Sequence, residues 1–87
     1  MSCYYIIGLR LSYRQHNAVL LQEVLTKFGC NIKMRLGLHE TDEKYCSNDG
    51  LILLQACGEK EEVEKMLDAF NHLDGVYAKL MDLNEEA

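Results

Sequence analysis

A segment that could bind a metal ion runs from Arg35 to Gly50, Arg-Leu-Gly-Leu-His-Glu-Thr-Asp-Glu-Lys-Tyr-Cys-Ser-Asn-Asp-Gly. It brings one histidine, one cysteine and several carboxylates together, and these are ligand types that transition metals prefer. The spacing does not match a compact zinc site, because Cys46 follows His39 by seven residues and no second histidine completes an H-E-x-x-H motif. The pattern favours a strand entering a mobile, solvated loop over residues 40–48. A metal site is the lesser alternative, and we expect no metal and no cofactor.

Catalytic motifs are not found elsewhere in the sequence. There is no G-x-S-x-G, no glycine-rich phosphate loop and no cysteine and histidine at a recognisable catalytic spacing. His16 and His72 fall at the start and the end of the predicted helices. A cation near a helix C-terminus, as His72 would be, is favoured by the helix dipole and needs no catalytic role. We therefore expect that the chain is not an enzyme.

Length and charge narrow the class of protein further. The 87 residues predict a single domain over residues 1–87. A domain this small buries only a modest share of its surface on folding, so association with another chain would add to its stability. A net charge of -5 has the wrong sign for neutralising phosphates, which argues against direct nucleic-acid binding. We expect no signal peptide and no membrane span, and we place the chain in the cytoplasm.

The hydrophobic pattern predicts the element order strand, helix, strand, strand, helix, strand. Residues 3–11 and 50–57 are apolar on both faces, as central strands are, while residues 32–39 and 76–83 predict two further strands. Two helices lie between them. Their predicted buried stripes are Leu20, Leu21, Val24, Leu25 and Phe28 in the first helix, and Val63, Met66, Leu67 and Phe70 in the second.

The two halves of the chain look like copies of one strand-helix-strand unit. They match at a spacing of 46 residues, at which Leu20 corresponds to Met66 and Gly29 corresponds to Gly75. Two such units joined by right-handed crossovers give an α+β, ferredoxin-like βαββαβ sandwich. Its four-stranded antiparallel sheet has the order 4-1-3-2, and both helices cover one face.

The other face of this sheet has no intramolecular cover, so it is the predicted interaction surface. If Ile32, Met34 and Leu36 face the helices, the residues between them point to the open side. We expect a homo-oligomer, a dimer or a tetramer, assembled through this face. The third strand adds either Ile52 and Leu54 or Leu51 and Leu53 to this face. The predicted interface residues are Tyr4, Ile6, Lys33, Arg35, Leu54 and Tyr77. The candidate residues for binding a small anion are Arg10, Arg35 and His39.

Topology also carries three cysteines to one edge of the sheet. Cys3, Cys30 and Cys57 lie at the ends of three strands that are adjacent in the order 4-1-3-2. The plainer interpretation is small residues packed at the margin of the core. The alternatives are a disulfide between Cys57 and Cys3 or Cys30 under oxidation, or a soft metal held by all three.

Three segments carry a resemblance to a known family. Arg-Leu-Gly-Leu-His-Glu at 35–40, Val-Leu-Thr-Lys-Phe-Gly at 24–29 and Gly-Val-Tyr-Ala-Lys at 75–79 resemble the small regulators of the iron-only hydrogenase system. The resemblance covers nearly the whole chain apart from residues 41–49. It implies an ACT-like fold, similar to the metal-binding domain of the nickel-responsive repressor. The repressor's nickel ligands do not carry over, because only His39 is approximately in place.

The expected function is therefore that of a stand-alone oligomeric regulatory module of the iron-only hydrogenase system. It would bind a small effector or a partner protein at the open sheet. Two alternatives stay open: a metal- or redox-sensing regulator that uses the Cys and His residues, and a purely structural oligomerisation domain.

Overall fold

In the computed structural model, the residues described are 2–12, 18–38 and 49–85. They form β1 (Ser2–Ser12), α1 (Ala18–Lys27), β2 (Ile32–Leu38), β3 (Asp49–Gly58), α2 (Lys60–Asn71) and β4 (Val76–Asp82), with a 3-10 turn at Gly29–Asn31. All pairings are antiparallel and the strand order is β2-β3-β1-β4. The predicted α+β ferredoxin-like architecture and its 4-1-3-2 strand order are confirmed.

The core lies between the helices and the two central strands. Alternate residues of β1, from Tyr5 to Leu11, are buried, as are Ile52, Leu54 and Ala56 on β3. No polar or charged side chain is among the buried residues that the structure describes. The hydrophobic effect therefore holds the two layers together, since each buried aliphatic side chain contributes roughly 1.5–3 kcal/mol.

The helices bury the faces that the 3.6-residue period predicts, with one exception. In α2, Val63, Met66 and Phe70 are fully buried. In α1, Leu21 is buried, but Leu20 is 47% exposed and does not belong to the core. The prediction for Leu20 is wrong because the stripe of α1 is narrower than its apolar composition suggests.

The internal repeat is present, but its spacing is one residue shorter than predicted. The buried residues of the two halves correspond in pairs: Ile7 with Ile52, Leu9 with Leu54, Leu11 with Ala56, Leu21 with Met66, and Leu25 with Phe70. A shift of one residue moves every strand side chain to the opposite face of the sheet. The corrected spacing therefore places Leu54 beneath the helices.

A β-bulge in β2 changes which of its residues face the helices. Ile32 lies opposite Ala56, whereas Met34 lies opposite Gln55, so Lys33 is an extra residue with no directly opposed partner on β3. An extra residue reverses the alternation for the rest of the strand. From Met34 onward, the faces of β2 are the reverse of those predicted.

Two asparagine side chains connect α2 with strands β3 and β4 through hydrogen bonds. Asn71, at the end of α2, accepts a hydrogen bond from the Ala78 N–H at 2.7 Å and donates one to the Ala78 carbonyl at 3.0 Å. Asn31 donates from Nδ2 to the Cys57 carbonyl at 3.0 Å and to Glu62 Oε2 at 3.2 Å. Both strand ends are thereby held in register with the helical layer.

Candidate functional site

The candidate site is the face of the sheet that the helices leave uncovered, and we call it the open face. The register of the four strands defines its members, because directly opposed residues point to the same side. Its described side chains are Tyr4, Ile6, Gly8 and Arg10 on β1, Met34 and Leu36 on β2, Leu51, Leu53, Gln55 and Cys57 on β3, and Tyr77, Lys79 and Met81 on β4.

Large apolar side chains are concentrated on the open face. Nine large hydrophobic residues are exposed in the described part of the chain, and six of them belong to the open face: Tyr4, Met34, Leu36, Leu51, Tyr77 and Met81. Leu83 extends it, because its backbone N–H donates to the Tyr4 carbonyl at 2.9 Å and continues the ladder past β4. A contiguous apolar patch of this kind marks an interaction surface in a small protein.

Positive charge lies within this apolar surface. Arg10 is opposite Tyr77 on β4, and Lys79 is opposite Gly8 on β1. The ammonium of Lys79 lies 5.7 Å from the centroid of the Tyr77 ring, a cation–π distance. Among the described side chains of the open face, the charged ones are both cationic, so the face suits an anionic or acidic group better than a basic one.

The predicted anion-binding set is not brought together. Arg10 lies on the open face, as expected. Arg35 lies opposite Leu54, which is buried beneath the helices, so Arg35 is on the other side of the sheet. The placement of Arg35 was wrong because of the bulge at Lys33. His39 lies outside the described residues.

The structure places some of the predicted interface residues on the open face and others elsewhere. Tyr4, Ile6 and Tyr77 lie on the open face. Leu54 does not, since it is 1% exposed and packs in the core beneath the helices. Arg35, as described above, is also excluded from this face, and Lys33 is the extra residue of the bulge.

Met34 and Leu36 belong to the open face, although the sequence pattern predicts that they face the helices. They are 58% and 51% exposed, and they enlarge the apolar surface across the edge strand β2. Residues 33–37 are all exposed, so the helical layer does not cover this stretch of β2 on either side. No feature of the alternation signals the bulge, because strict alternation continues on both sides of it.

A short relay of hydrogen bonds holds the open face where β1 and β4 meet. The Tyr4 N–H donates to Asn84 Oδ1 at 3.0 Å, and Asn84 in turn donates to Asp82 Oδ1 from its backbone N–H at 2.9 Å and from Nδ2 at 2.7 Å. These donors, the backbone N–H first, lower the pKa of Asp82 below its ordinary value. Ionised Asp82 therefore orients the amide that anchors Tyr4.

The cysteines at this end of the sheet are resolved into a pair and a single thiol. Cys3 and Cys57 form a disulfide, with their Cα atoms 3.9 Å apart, at the bulge between Ser2 and Tyr5 of β1. Cys30 is free and exposed, so it neither joins the pair nor packs at the core margin. Of the alternatives open from the sequence, the Cys57–Cys3 pairing is the one present.

The metal alternatives gain no candidate site in the described part of the chain. Within residues 2–12, 18–38 and 49–85, no three His, Cys, Asp or Glu side chains form a group that could hold an ion. His39, Cys46 and the rest of the predicted acidic loop up to residue 48 lie outside those ranges, so the expectations of loop mobility and of no metal there stay predictions. None of the described helices is long and apolar enough to cross a membrane.

Comparison with known proteins identifies the fold. No protein-family profile matches the chain, and no curated protein matches it. The chain is similar to a solved structure of an uncharacterized protein from Thermotoga maritima. The TM-score is 0.78, the sequence identity is 20%, and the match covers 92% of this chain and 95% of the other.

At this identity the likeness shows a shared ferredoxin-like architecture. Function has to be argued from the chain's own open face.

Proposed function

We propose that this chain is a stand-alone regulatory module that works as a homo-oligomer in the cytoplasm, with copies associated through their open faces. One observation carries the proposal: among the described side chains, seven of the nine exposed large apolar residues lie on, or directly extend, this single surface. The regulated process that we propose is the iron-only hydrogenase system. That context rests on the sequence resemblance at residues 24–29, 35–40 and 75–79.

The effector that best fits the interface is a small anion. Arg10 and Lys79 lie diagonally across β1 and β4, within an otherwise apolar surface. When two open faces meet, the Lys79 ammonium groups of both copies approach each other in a medium of reduced dielectric constant, where like charges repel more strongly than in water. An anionic effector bound between them would relieve this repulsion and stabilise the oligomer.

Thermal unfolding with added anions tests the effector. Inorganic phosphate, sulfate and small dicarboxylates would each be compared with chloride at equal ionic strength. A ligand that binds the folded state raises the free energy of unfolding by RT ln(1 + [L]/Kd). We expect at least one anion to stabilise the wild-type chain, with the gain lost in Lys79→Gln. Lys65→Gln, an exposed lysine on α2, is the matched control and should keep the full gain.

A purely structural oligomerisation domain would respond to none of these anions, and that result would remove the effector from the proposal. The hydrogenase context has a separate test. Deletion of the coding gene in a host with an iron-only hydrogenase should change hydrogenase activity in extracts. Unchanged activity and enzyme level would remove that context.

A redox-sensing regulator is the second candidate, and the Cys3–Cys57 disulfide favours it. Disulfides are rare in the reducing cytoplasm, where those present are usually transient and redox-sensing. Both cysteines are half-buried, so a small thiol or disulfide has access to them. Cys57 is a member of the open face, so oxidation would act directly on the end of the proposed interface.

The chemistry is thiol–disulfide exchange with a disulfide such as oxidised glutathione. One cysteine thiolate attacks the glutathione disulfide, forming a mixed disulfide and releasing one glutathione thiolate. The second cysteine thiolate then attacks the protein sulfur, which closes the Cys3–Cys57 bond and releases a second glutathione. Two protein thiols are oxidised, one glutathione disulfide is reduced, and the two protons pass to the released thiolates or to solvent.

Equilibration in glutathione redox buffers, followed by alkylation and mass spectrometry, tests this candidate. We expect Cys3 and Cys57 to be protected together from alkylation, with oligomer strength changing between the two states. Cys3→Ser should abolish the change, while Cys30→Ser should preserve it because Cys30 is free and exposed. Equal oligomerisation of the oxidised and reduced chains would contradict a regulatory role.

A further inference from the structure

Gly8 is a glycine at the centre of the open face. It lies in the central strand β1, opposite Leu53 on β3 and Lys79 on β4, with Ile6 and Arg10 next to it along the same side. Glycine is disfavoured inside strands, because it loses the most backbone freedom on folding and packs no side chain. A glycine in this position therefore needs a reason.

The fold itself does not supply that reason. The described glycines with positive φ are Gly58 and Gly75, so Gly8 has a backbone conformation that any residue adopts. A Cβ built on Gly8 would meet Leu53 Cδ2 at 3.6 Å, an ordinary van der Waals contact. Gly58 is the contrasting case, since its φ is 140° and a Cβ there would lie 2.9 Å from Asn31 Nδ2.

Gly8 carries no side chain, whereas its neighbours on the open face do: Ile6 and Arg10 along β1, and Leu53 and Lys79 across the sheet. We call this gap in the layer of side chains the hollow at Gly8. Glycines inside strands often mark the place where another group approaches closely. We propose that the hollow at Gly8 receives an apolar side chain from a second copy of this chain. The inference rests on the proposed self-association and locates the centre of that interface.

A second copy is the occupant that the surface fits best. An isologous interface must carry both the projecting groups and the hollows that receive them. The open face has both: Met34, Tyr77 and Met81 project with more than half of their surface exposed, and Gly8 forms the hollow.

The dimensions of the open face agree with this occupant. Four strands about 4.8 Å apart and seven residues rising about 3.3 Å each give a footprint of roughly 20 by 23 Å. This footprint is roughly 460 Å², and the side chains that project from it add to the area that each copy can bury toward the roughly 800 Å² per partner of a stable interface.

Filling the hollow tests the inference. Gly8→Ala and Gly8→Val would be compared with Gly37→Val by sedimentation equilibrium, with circular dichroism and urea unfolding as checks on the fold. Gly37 is the matched control, because a Cβ there meets nothing within 4 Å and its partner Ile52 places it away from the open face. We expect the dimer dissociation constant to rise by about tenfold or more in Gly8→Ala and further in Gly8→Val, with little change in Gly37→Val.

The outcomes separate this inference from the proposed function. If the wild-type chain and both Gly8 variants dimerise equally tightly, self-association stands and the role of Gly8 is overturned. The role is also overturned if Gly37→Val weakens the dimer as much as Gly8→Val does. A wild-type chain that stays monomeric overturns the self-association and the Gly8 inference together. Should Gly8→Val fail to fold, Gly8→Ala decides the matter, since its Cβ makes only an ordinary contact.

Discussion

Ile7 of β1 lies directly opposite Leu54 of β3, and both side chains are buried beneath the helices. Opposed residues in an antiparallel pair share one face of the sheet. This pair therefore assigns the even-numbered residues of β1 from Ile6 to Arg10, and the odd-numbered residues of β3 from Leu51 to Cys57, to the open face. The composition of the proposed interface depends on that assignment.

The assignment predicts that truncating Leu54 destabilises the chain much more than truncating Leu51, another leucine of the same strand. Leu54→Ala should lower the free energy of unfolding by roughly 2–5 kcal/mol, because it leaves a cavity in a fully buried site. Leu51→Ala, on the open face, should leave the stability of the isolated monomer within about 1 kcal/mol of wild type. Urea unfolding at concentrations low enough to dissociate oligomers measures both. Equal losses for the two variants would be inconsistent with the register.

Charge introduced on the open face should dissociate the oligomer without unfolding the chain. Leu36→Lys places a cation in the apolar surface, where burying it against a second copy would be costly. Leu20→Lys is the control, since Leu20 is similarly exposed but lies on α1. Size-exclusion chromatography with light scattering should show a smaller mass for Leu36→Lys alone. Dissociation of both variants would mean that helix α1 also contributes to the interface.

The element order and the sheet topology could be predicted from the sequence, because they depend on long periodic patterns. Which residues of β3 lie on each face could not be predicted, because four consecutive residues, Leu51, Ile52, Leu53 and Leu54, are all apolar and show no alternation. The sequence therefore leaves two pairs possible for the open face, Ile52 with Leu54 or Leu51 with Leu53, and a shift of one residue exchanges them.

The prediction of which β2 residues lie on each face of the sheet was wrong for a different reason. A bulge inserts one residue without any change in side-chain type, so Lys33 looks like an ordinary member of an alternating strand. Arg35 was misplaced as a consequence, and Met34 and Leu36 were missed.

For the cysteines, the sequence predicts which end of the sheet they occupy but not which of them pair. Topology brought Cys3 and Cys57 to one end, but only the three-dimensional arrangement selects that pair and leaves Cys30 free.

Asn71 should be important for the outer edge of the sheet. Its side-chain amide pairs with both the N–H and the carbonyl of Ala78, a buried residue of the edge strand β4. Asn71→Ala leaves both groups without this partner and should cost about 1–3 kcal/mol in urea unfolding. Asn71→Asp keeps an acceptor for the Ala78 N–H and loses the donor, so its loss should be smaller. A loss in Asn71→Ala no larger than that in Asn71→Asp would contradict this role.

Acid should weaken the anchor of Tyr4. The pKa of Asp82 is lowered in the folded chain, so its contribution to stability is present above the unfolded-state value near 3.8 and is lost as the pH falls through the folded-state pKa. The difference in thermal stability between wild type and Asp82→Asn should therefore be larger near pH 6 than near pH 2. A difference that does not change with pH would show that the Asn84 contacts do not depend on the ionised carboxylate.

The most direct test of self-association through the open face is sedimentation equilibrium of the wild-type chain over a concentration series from about 1 to 100 μM. The account predicts a wild-type mass of at least twice the 10.0 kDa of one chain at the highest concentration, and a fall toward 10.0 kDa on dilution. For Leu36→Lys it predicts a mass near 10.0 kDa at all concentrations. A wild-type mass of 10.0 kDa throughout the series would contradict it.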